Sequence, residues 1–211
     1  LTSSEIGVKA TALDGRMRFN VAAFWQEWDD FQFSRLDTSI SPLTLTFNVG
    51  NAQSNGFEGD FTTLLTDNWT LSGAFSYIYK SQLTSDYSRN GVTVDAPAGT
   101  PLPRIPELKW NLTSRYTMAN DWYVQGAYVY TGDSFNTLFE GGTIQTARRT
   151  QEAYEILNLG VGLDREEWSA ELYMRNVFDE RGDVFINAVN WDSRVMINRP
   201  RTVGLVYRRQ F

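Results

Sequence analysis

The sequence predicts an all-β protein, an antiparallel transmembrane β-barrel of which this chain forms the C-terminal portion. Along most of the 211 residues, apolar and polar residues alternate with a period of two, which gives each strand two different faces. Aromatic residues lie near both ends of the apolar face, and short turns alternate strictly with long polar connections. A lipid bilayer accounts for these three features together.

The expected strands follow one another along the chain, each with one apolar face. In chain order the apolar faces comprise Met17, Phe19, Val21, Ala23 and Trp25; Phe57 and Phe61; Trp69, Leu71, Gly73, Phe75, Tyr77 and Tyr79; Leu108, Trp110, Leu112 and Tyr116; Leu157, Leu159, Val161 and Leu163; and Val203, Leu205 and Tyr207. The opposite faces repeatedly carry charge, as at Glu58, Asp60, Lys109 and Arg115.

Tryptophan and tyrosine occur at two levels of the apolar face. The segments that begin at Trp69 and Trp122 align residue for residue, and the one that begins at Trp168 is a looser copy. At ~3.3 Å per residue and a tilt of about 40°, the distance from Trp69 to Tyr79 projects to roughly 25 Å, the height of the apolar band of an outer-membrane barrel. The predicted membrane-interface aromatics are Trp69, Tyr77, Tyr79, Trp122, Tyr128, Tyr130 and Trp168.

Two kinds of connection separate the strands. Short turns rich in Asp, Asn and Gly lie at 12–16, 65–69, 118–122 and 164–168, and long polar stretches lie at roughly 34–46, 84–103, 134–152 and 177–198. This asymmetry is typical of barrels with periplasmic turns and external loops. Segments such as 16–33 also exceed the length of strands in soluble sheets. We expect about nine strands, and an odd number implies a neighbouring strand outside this chain.

Composition excludes several classes of function. The chain has no cysteine and no histidine, which removes thiol nucleophiles, Ser-His-Asp triads and His/Cys metal sites. We therefore expect no catalytic residues, no cofactor and no metal. A net charge of −6 argues against nucleic-acid binding. The residues after Leu1 lack a signal-peptide pattern, so we expect processing or further sequence upstream.

Four segments resemble the C-terminal half of TonB-dependent outer-membrane receptors. They are "NVGNAQSNGFEGDF" at 48–61, "LPRIPELKWNLTSRY" at 102–116, "MRNVFDER" at 174–181 and the ending "RPRTVGLVYRRQF". The resemblance implies a 22-stranded barrel of the bacterial outer membrane, with an N-terminal plug, a TonB-contacting region and a signal peptide upstream of Leu1. The implied activity is uptake of a ferric siderophore, an oligosaccharide or cobalamin. Implied partners are the lipid bilayer, TonB, the barrel-assembly machinery and a small nutrient.

Several residues have an expected role, the assembly signal from the resemblance and the others from the alternation of the faces and the residue types of the long connections. Tyr207 and Phe211 match the barrel-assembly signal, while Arg209 departs from the usual apolar residue. The carboxylates of Glu58 and Asp60 are expected in the wall of the lumen, or in contact with plug arginines. Arg115 and Arg175 are expected in the same lumen. Ligand contacts are expected in the long connections, where the candidates are Phe135, Phe139, Arg148, Arg149, Trp191 and Arg194.

Two other classes of protein remain compatible with the sequence. A passive porin or adhesin barrel would share the strands but lack a plug. A soluble sugar-binding β-domain would use the aromatic residues as stacking platforms and bury the apolar face in a sandwich core. "GVG" at 160–162 lacks the helix that a phosphate-binding loop needs, which favours close strand packing.

Overall fold

The structure, a computed structural model, describes residues 1–36, 43–88, 95–139, 148–187 and 194–210. These residues form only strands and irregular segments. The strands are β1 (Thr2–Ala12), β2 (Met17–Trp28), β3 (Gln32–Leu36), β4 (Thr44–Asn48), β5 (Ala52–Thr66), β6 (Trp69–Leu83), β7 (Leu108–Thr117), β8 (Trp122–Thr131), β9 (Ser134–Phe135), β10 (Thr150–Gln151), β11 (Tyr154–Asp164), β12 (Trp168–Arg175), β13 (Asp183–Asn187), β14 (Arg194–Ile197) and β15 (Thr202–Arg209). Within the described ranges no helix is long and apolar enough to cross a membrane.

Nine of the strands form one antiparallel sheet in the order β1-β2-β5-β6-β7-β8-β11-β12-β15. Each strand of this sheet pairs with the next one along the chain, which confirms the all-β antiparallel prediction and the expected number of strands. The other six strands form three small hairpins, β3-β4, β9-β10 and β13-β14. These hairpins lie inside the long connections.

The connections divide the sheet into two ends. At the end that we call the turn end, strands are joined by 13–16, 67–68, 118–121 and 165–167. At the opposite loop end run the first (29–51), second (84–107), third (132–153) and fourth (176–201) long connections. The predicted alternation of short and long connections is therefore confirmed.

The register between strands keeps the predicted apolar residues on one face of the whole sheet. Phe75 lies opposite Trp110, and Leu112 lies opposite Tyr128. Further along, Leu172 has Val161 as its partner on one side and Leu205 on the other. Because a slip of one residue would move every side chain to the other face, this agreement from β2 to β15 is strong support for the predicted faces.

One predicted segment is not continuous. Residues 16–33 were expected to form a single long strand, but β2 ends at Trp28 and β3 begins at Gln32. The break follows from Asp30, which has a positive φ of 52°, and from Phe31, whose N–H donates to the carbonyl of Gly50 at 2.6 Å. The chain therefore turns away from the sheet at Asp29 and Asp30. The strand β2 itself has 12 residues.

Two glycines of the apolar face accommodate aromatic rings from the next strand. Gly59 lies opposite Phe75, and Gly73 lies opposite Phe61. A Cβ atom added at either glycine would lie 2.8 Å from the neighbouring ring. The glycines therefore allow both phenyl rings to lie flat against the backbone of the adjacent strand.

The apolar face of the sheet is open in the described part of the chain. Val8, Leu172 and Leu205 have 59%, 52% and 71% of their surface exposed. A soluble sandwich would cover such residues with a second layer, and the described residues form none. An apolar sheet face of this kind is typical of a wall in contact with lipid.

Most of the buried apolar residues lie at the loop end instead. We call them the loop-end core: Val49, Ala52, Leu83, Ala96, Leu102, Leu138 and Phe139. They come from the first three long connections and from the ends of the strands that those connections join. The principal apolar core therefore holds the connections together and leaves the middle of the sheet open.

Candidate functional site

The polar face carries two neighbouring carboxylates where the sequence places them. Glu58 and Asp60 lie two residues apart on β5, opposite Ala22 and Asn20 of β2. The side-chain amide of Asn20 donates to both carboxylate oxygens of Asp60 at 3.0 Å. This bidentate arrangement holds Asp60 against the sheet, as expected of a residue that lines a wall.

Two cavities open along the polar face of β1, β2, β5 and β6. One has a volume of about 620 Å³, and its charged lining residues are Glu5, Lys9, Glu58 and Asp60. The other, about 450 Å³, lies nearer the loop end and adds Arg104 and aromatic side chains of β2. Both share Glu5 and Glu58. This part of the wall offers charges of both signs to whatever fills the space beside it.

A network of polar side chains covers the other half of the polar face, nearer the turn end. The guanidinium carbon of Arg115 lies 3.5 Å from the centre of the Tyr123 ring. The Tyr123 hydroxyl donates to Glu171 at 3.1 Å, and the Gln125 amide donates to the same carboxylate at 2.8 Å. Arg115 also pairs with Asp164 at 3.3 Å. These groups pair with one another through hydrogen bonds and an ion pair, so together they form a continuous polar surface.

The "GVG" segment lies beneath this network, which explains its glycines. Tyr123 is the cross-strand partner of Gly162, and Gln125 is the partner of Gly160. A Cβ at Gly162 would collide with the Tyr123 ring, and one at Gly160 would lie 2.7 Å from Glu171. The glycines therefore allow the network to lie flat on the sheet, in agreement with the close strand packing expected here.

Arg175 lies on the same face as Arg115, as the alternation predicted. Its guanidinium carbon is 5.0 Å from the centre of the Tyr173 ring. Tyr173 in turn lies opposite Gly204 of β15, where an added Cβ would collide with the ring. As at Arg115, a tyrosine ring therefore lies between an arginine and a glycine of the next strand, but here the arginine and the tyrosine belong to the same strand, β12.

Two of the predicted ligand residues contact each other in the third long connection. The guanidinium carbon of Arg148 lies 3.7 Å from the centre of the Phe135 ring. Arg149, the next residue, is held through its backbone: its N–H donates to Asn136 Oδ1 at 2.7 Å, and its carbonyl accepts from the Asn136 N–H at 3.1 Å. The sequence shows the residue types, but only the hairpin pairing brings Phe135 and Arg148 together.

The structure places the remaining ligand candidates differently. Phe139 is 3% exposed and belongs to the loop-end core, so in this arrangement its ring packs against the protein. Arg194 is exposed on β14 opposite Asn187. Trp191 lies outside the described residues. The described candidates therefore lie in different surroundings: Phe139 in the loop-end core, and Arg194 on the exposed strand β14.

Phe139 joins three long connections. Its ring centre lies 5.8 Å from that of Phe33 in the first connection and 5.7 Å from that of Tyr87 in the second. Backbone hydrogen bonds add to this packing, since Thr84 N–H donates to the Asn51 carbonyl at 2.8 Å. The bases of these connections form one packed unit.

Arg104 joins the second connection to the third and fourth, and sequence analysis did not single it out. Its N–H donates to the Phe135 carbonyl at 2.7 Å, and its guanidinium carbon lies 4.4 Å from the Phe185 ring centre. Partial burial lowers the pKa of Arg104. It belongs to the "LPRIPELKWNLTSRY" segment, which was noticed only as a resemblance.

Two asparagine side chains, of which Asn176 is buried, close the fourth connection at its base. Asn176, which is 2% exposed, donates to the carbonyls of Glu180 and Arg199 at 2.9 Å and accepts from the Glu180 N–H. Asn198 accepts from the Gly182 N–H at 2.7 Å. Asparagine inside the "MRNVFDER" segment was the available signal for this structural role.

Asp179 completes the same base. Its carboxylate accepts a 2.8 Å hydrogen bond from the Arg201 N–H and pairs with Arg181 at 3.0 Å. The Arg201 N–H is the main reason why the pKa of Asp179 lies below its ordinary value, and Arg181 adds to the effect. The two ends of the fourth connection are therefore linked through a charged group.

The predicted interface aromatics all lie on the apolar face. Trp69, Trp122 and Trp168 begin their strands directly after the short turns, whereas the tyrosine pairs lie toward the loop end. Trp110 was predicted on the apolar face but not as an interface aromatic. Its ring stacks on Tyr128 at 5.2 Å and on Tyr130 at 6.2 Å between ring centres. Their contact with a membrane interface remains a prediction.

The last strand has its apolar residues on the predicted face. Tyr207 lies on the apolar face opposite Ala170, and its ring centre is 6.0 Å from that of Trp168. Phe211 lies outside the described residues. The assembly role of both aromatics stays a prediction.

These features define the class of the protein. A continuous antiparallel sheet with one open apolar face, one charged face, tight turns at one end and long interlocked connections at the other is part of the wall of a transmembrane β-barrel. Residues 2–177 match the family described as TonB dependent receptor-like, beta-barrel. The chain belongs to this family, which is a family of receptors and not of enzymes.

Individual relatives cover the chain but extend far beyond it. The probable TonB-dependent siderophore receptor PiuA of Acinetobacter baumannii is 29% identical over 141 residues, which are 63% of this chain and 18% of that protein. Its crystal structure matches 97% of this chain with a TM-score of 0.75 at 20% identity. The ferric-catecholate import receptor Fiu of E. coli K12 gives 0.71 at 22% identity over 97% of this chain, and the ferric yersiniabactin uptake receptor FyuA of Yersinia pestis gives 0.73 at 17% over 99%. This chain covers 26% to 29% of those three structures, and the likeness shows the shared fold.

Proposed function

We propose that this chain is the C-terminal part of the barrel of an outer-membrane receptor that takes up a ferric siderophore with energy from TonB. The family match supports the TonB-dependent class. The siderophore is supported by the description of the curated relative as a siderophore receptor. The outer-membrane location is supported by a similar fold in the ferripyoverdine receptor of the outer membrane of Pseudomonas aeruginosa, at a TM-score of 0.67 and 18% identity over 99% of this chain and 27% of that one.

The observation that carries the proposal is the combination of this family match with the chemistry of the loop end. Two guanidinium groups there lie over phenyl rings, Arg148 over Phe135 and Arg104 over Phe185. Ferric siderophore complexes are often anionic and aromatic, and both properties favour contact with arginine and phenylalanine. An uncharged oligosaccharide offers no anionic group to these cations.

The proposed partners follow from the two edges and faces of the sheet. The outward edges of β1 and β15 have no partner strand among the described residues, and a lipid environment requires such edges to be paired. We infer that other strands of the whole protein complete the barrel, and that its plug lies against the polar face. TonB would act through the region upstream of Leu1, and the barrel-assembly machinery would bind the C-terminal segment of the sequence, which includes Tyr207 and Phe211.

The test is iron uptake by the full-length protein in a bacterial host that lacks its own siderophore receptors. We expect accumulation of radioactive iron from a ferric siderophore, and loss of that accumulation when TonB is deleted. Uptake that persists without TonB would support a passive porin instead. If a panel of catecholate, hydroxamate and carboxylate complexes gives no uptake, the siderophore assignment is wrong.

A further inference from the structure

We propose that Arg148 and Phe135 form a stacking site for a planar, anionic aromatic group of the ligand. The inference rests on the proposed function, because it names the ligand chemistry that this receptor selects. It assigns the site to the third long connection, at the hairpin β9-β10. Its basis is the geometry of four side chains and the backbone that holds them.

The arginine and the phenyl ring are already stacked. The guanidinium carbon of Arg148 lies 3.7 Å from the ring centre, which is the separation of a close cation–π contact. Such a pair places a planar cation and an aromatic surface side by side before any ligand arrives. A guanidinium held in this way loses less conformational freedom on binding than a free side chain.

A cavity of suitable size lies beside the pair. Its volume is about 470 Å³, and it is lined by Pro101, Phe135, Arg148 and Thr150. This volume falls within the range of small-molecule sites in proteins, roughly 300 to 1,000 Å³. Proline and phenylalanine supply apolar surface, and the hydroxyl of Thr150 supplies a hydrogen-bonding group next to the cation.

The backbone around the site is fixed on both sides. Phe135 pairs with Thr150 in the hairpin, and the carbonyl of Phe135 accepts the 2.7 Å hydrogen bond from Arg104. On the next residue pair, Asn136 exchanges two hydrogen bonds with the backbone of Arg149. Asn136 is 2% exposed, so this clamp is shielded from water. The position of the stacked pair is therefore determined by the fold.

The chemistry selects a particular kind of ligand group. A phenolate or carboxylate accepts charge-assisted hydrogen bonds from the guanidinium, and an attached aromatic ring stacks on the guanidinium plane or packs against Phe135. A neutral, aliphatic chelate offers neither a net negative charge to the guanidinium nor a ring to stack. The site therefore favours aryl-oxygen chelates of iron over neutral hydroxamate chelates.

The experiment measures affinity of the purified full-length receptor in detergent for two probes. One is the trianionic Fe³⁺ complex of a hexadentate tricatecholate, and the other is the neutral Fe³⁺ complex of a trihydroxamate. We expect Arg148→Gln to weaken binding of the catecholate complex by about tenfold. The affinity of Arg148→Lys should lie between those of the wild type and Arg148→Gln. Phe135→Leu should weaken binding by about threefold. Binding of the hydroxamate complex should change by less than about twofold.

A control variant separates local effects from a general loss of charge. Arg16→Gln removes the same charge at the turn end, where Arg16 pairs with Asp67, and should leave both affinities unchanged. Each variant is first checked for a folded barrel by its heat-dependent shift in gel mobility.

The outcomes distinguish this inference from the proposed function. If Arg148→Gln and Phe135→Leu leave catecholate affinity intact, or weaken both probes equally, the stacking site is refuted while siderophore binding stands. Wild-type receptor that binds only the hydroxamate complex also refutes the stacking site alone. Wild-type receptor that binds neither probe, and transports no siderophore, refutes the proposed function and this inference with it.

Discussion

Arg115 lies over the ring of Tyr123, with 3.5 Å between the guanidinium carbon and the ring centre, and Tyr123 in turn lies over Gly162 of the neighbouring strand. The three residues belong to β7, β8 and β11. Because glycine has no Cβ atom, the tyrosine ring fills the space above it on the neighbouring strand. It also determines which substitutions this part of the wall tolerates.

Replacement of Gly162 by alanine should destabilise the assembled barrel. The new Cβ would collide with the Tyr123 ring and would lie 2.7 Å from the Ala170 carbonyl, so the ring must move and the contact with Arg115 is lost. We expect a loss of about 1–3 kcal/mol, measured by urea unfolding of the full-length protein in detergent.

Gly126→Ala is the matched control for this change. A Cβ at Gly126 would meet its nearest neighbour, Leu159, at 3.5 Å, which is ordinary contact. A double variant that combines Gly162→Ala with Tyr123→Ala should recover part of the stability lost in Gly162→Ala alone. The reason is that the Tyr123 ring no longer occupies the space that the new Cβ needs. Equal effects of alanine at the two glycines would contradict the ring-over-glycine explanation.

Protonation of Asp179 should loosen the base of the fourth connection. Hydrogen bonds from the Arg201 N–H and from Arg181 hold the pKa of Asp179 below its ordinary value of 3.8. A lowered pKa means that this carboxylate stabilises the folded base above pH 3.8, and that the stabilisation disappears as pH falls through the lower, folded-state pKa.

Hydrogen exchange of the Arg201 amide as a function of pH measures this effect. Protection, corrected for the intrinsic exchange rate, should be constant at mildly acidic pH and fall only below the ordinary carboxyl pKa. Asp179→Asn should remove the pH dependence. If protection begins to fall well above pH 3.8, Asp179 does not control this contact.

Phe139→Ala should release three long connections from one another. The ring is 3% exposed and packs against Phe33 and Tyr87, so its removal leaves a cavity where the first and second connections meet the third. Truncation of a buried phenylalanine costs about 3–5 kcal/mol of local stability. We expect faster proteolysis and faster hydrogen exchange in 29–51 and 84–107 while the sheet stays intact.

Phe178→Ala is the control, since that ring is 62% exposed and should be replaceable without such an effect. Unchanged exchange in the first two connections of the Phe139 variant would show that the loop-end core does not hold them together.

Deletion of Phe211 should reduce the amount of assembled barrel in the outer membrane without changing synthesis. The prediction comes from the match of Phe211 and Tyr207 to the assembly signal of this family, and Tyr207 lies on the apolar face as that match requires. Folded and total protein are compared in membrane fractions, with Gln210→Ala as the control. Normal assembly of the deletion variant would remove the role assigned to the terminal residue.

The sequence was sufficient for the faces of the strands and for the two ends of the sheet. In β6, the alternation from Trp69 onward gives the apolar and polar sides directly, because neighbouring side chains in a strand point to opposite faces. The tight turns could be predicted equally well. Asp14 and Gly15 both have positive φ, which their residue types favour. The break in 16–33 was missed because it depends on a hydrogen bond between Phe31 and Gly50.

The candidate site could be predicted only in part. Residue types suited to a ligand were visible in the third connection, but the contact of Arg148 with Phe135 and the burial of Phe139 were not. Arg104 was not singled out because its partners lie in other connections. Asn176 was not singled out because its partner Arg199 lies 23 residues away, at the other end of the fourth connection.

The sequence by itself thus determined what depends on local periodicity: the two faces, the number of strands, and the order of short and long connections. The tertiary structure alone decided which side chains meet, such as Arg115 with Asp164, 49 residues apart, or Phe139 with Phe33. The physical reason is that side-chain direction repeats within a strand, whereas contacts across strands depend on register and on long-range packing.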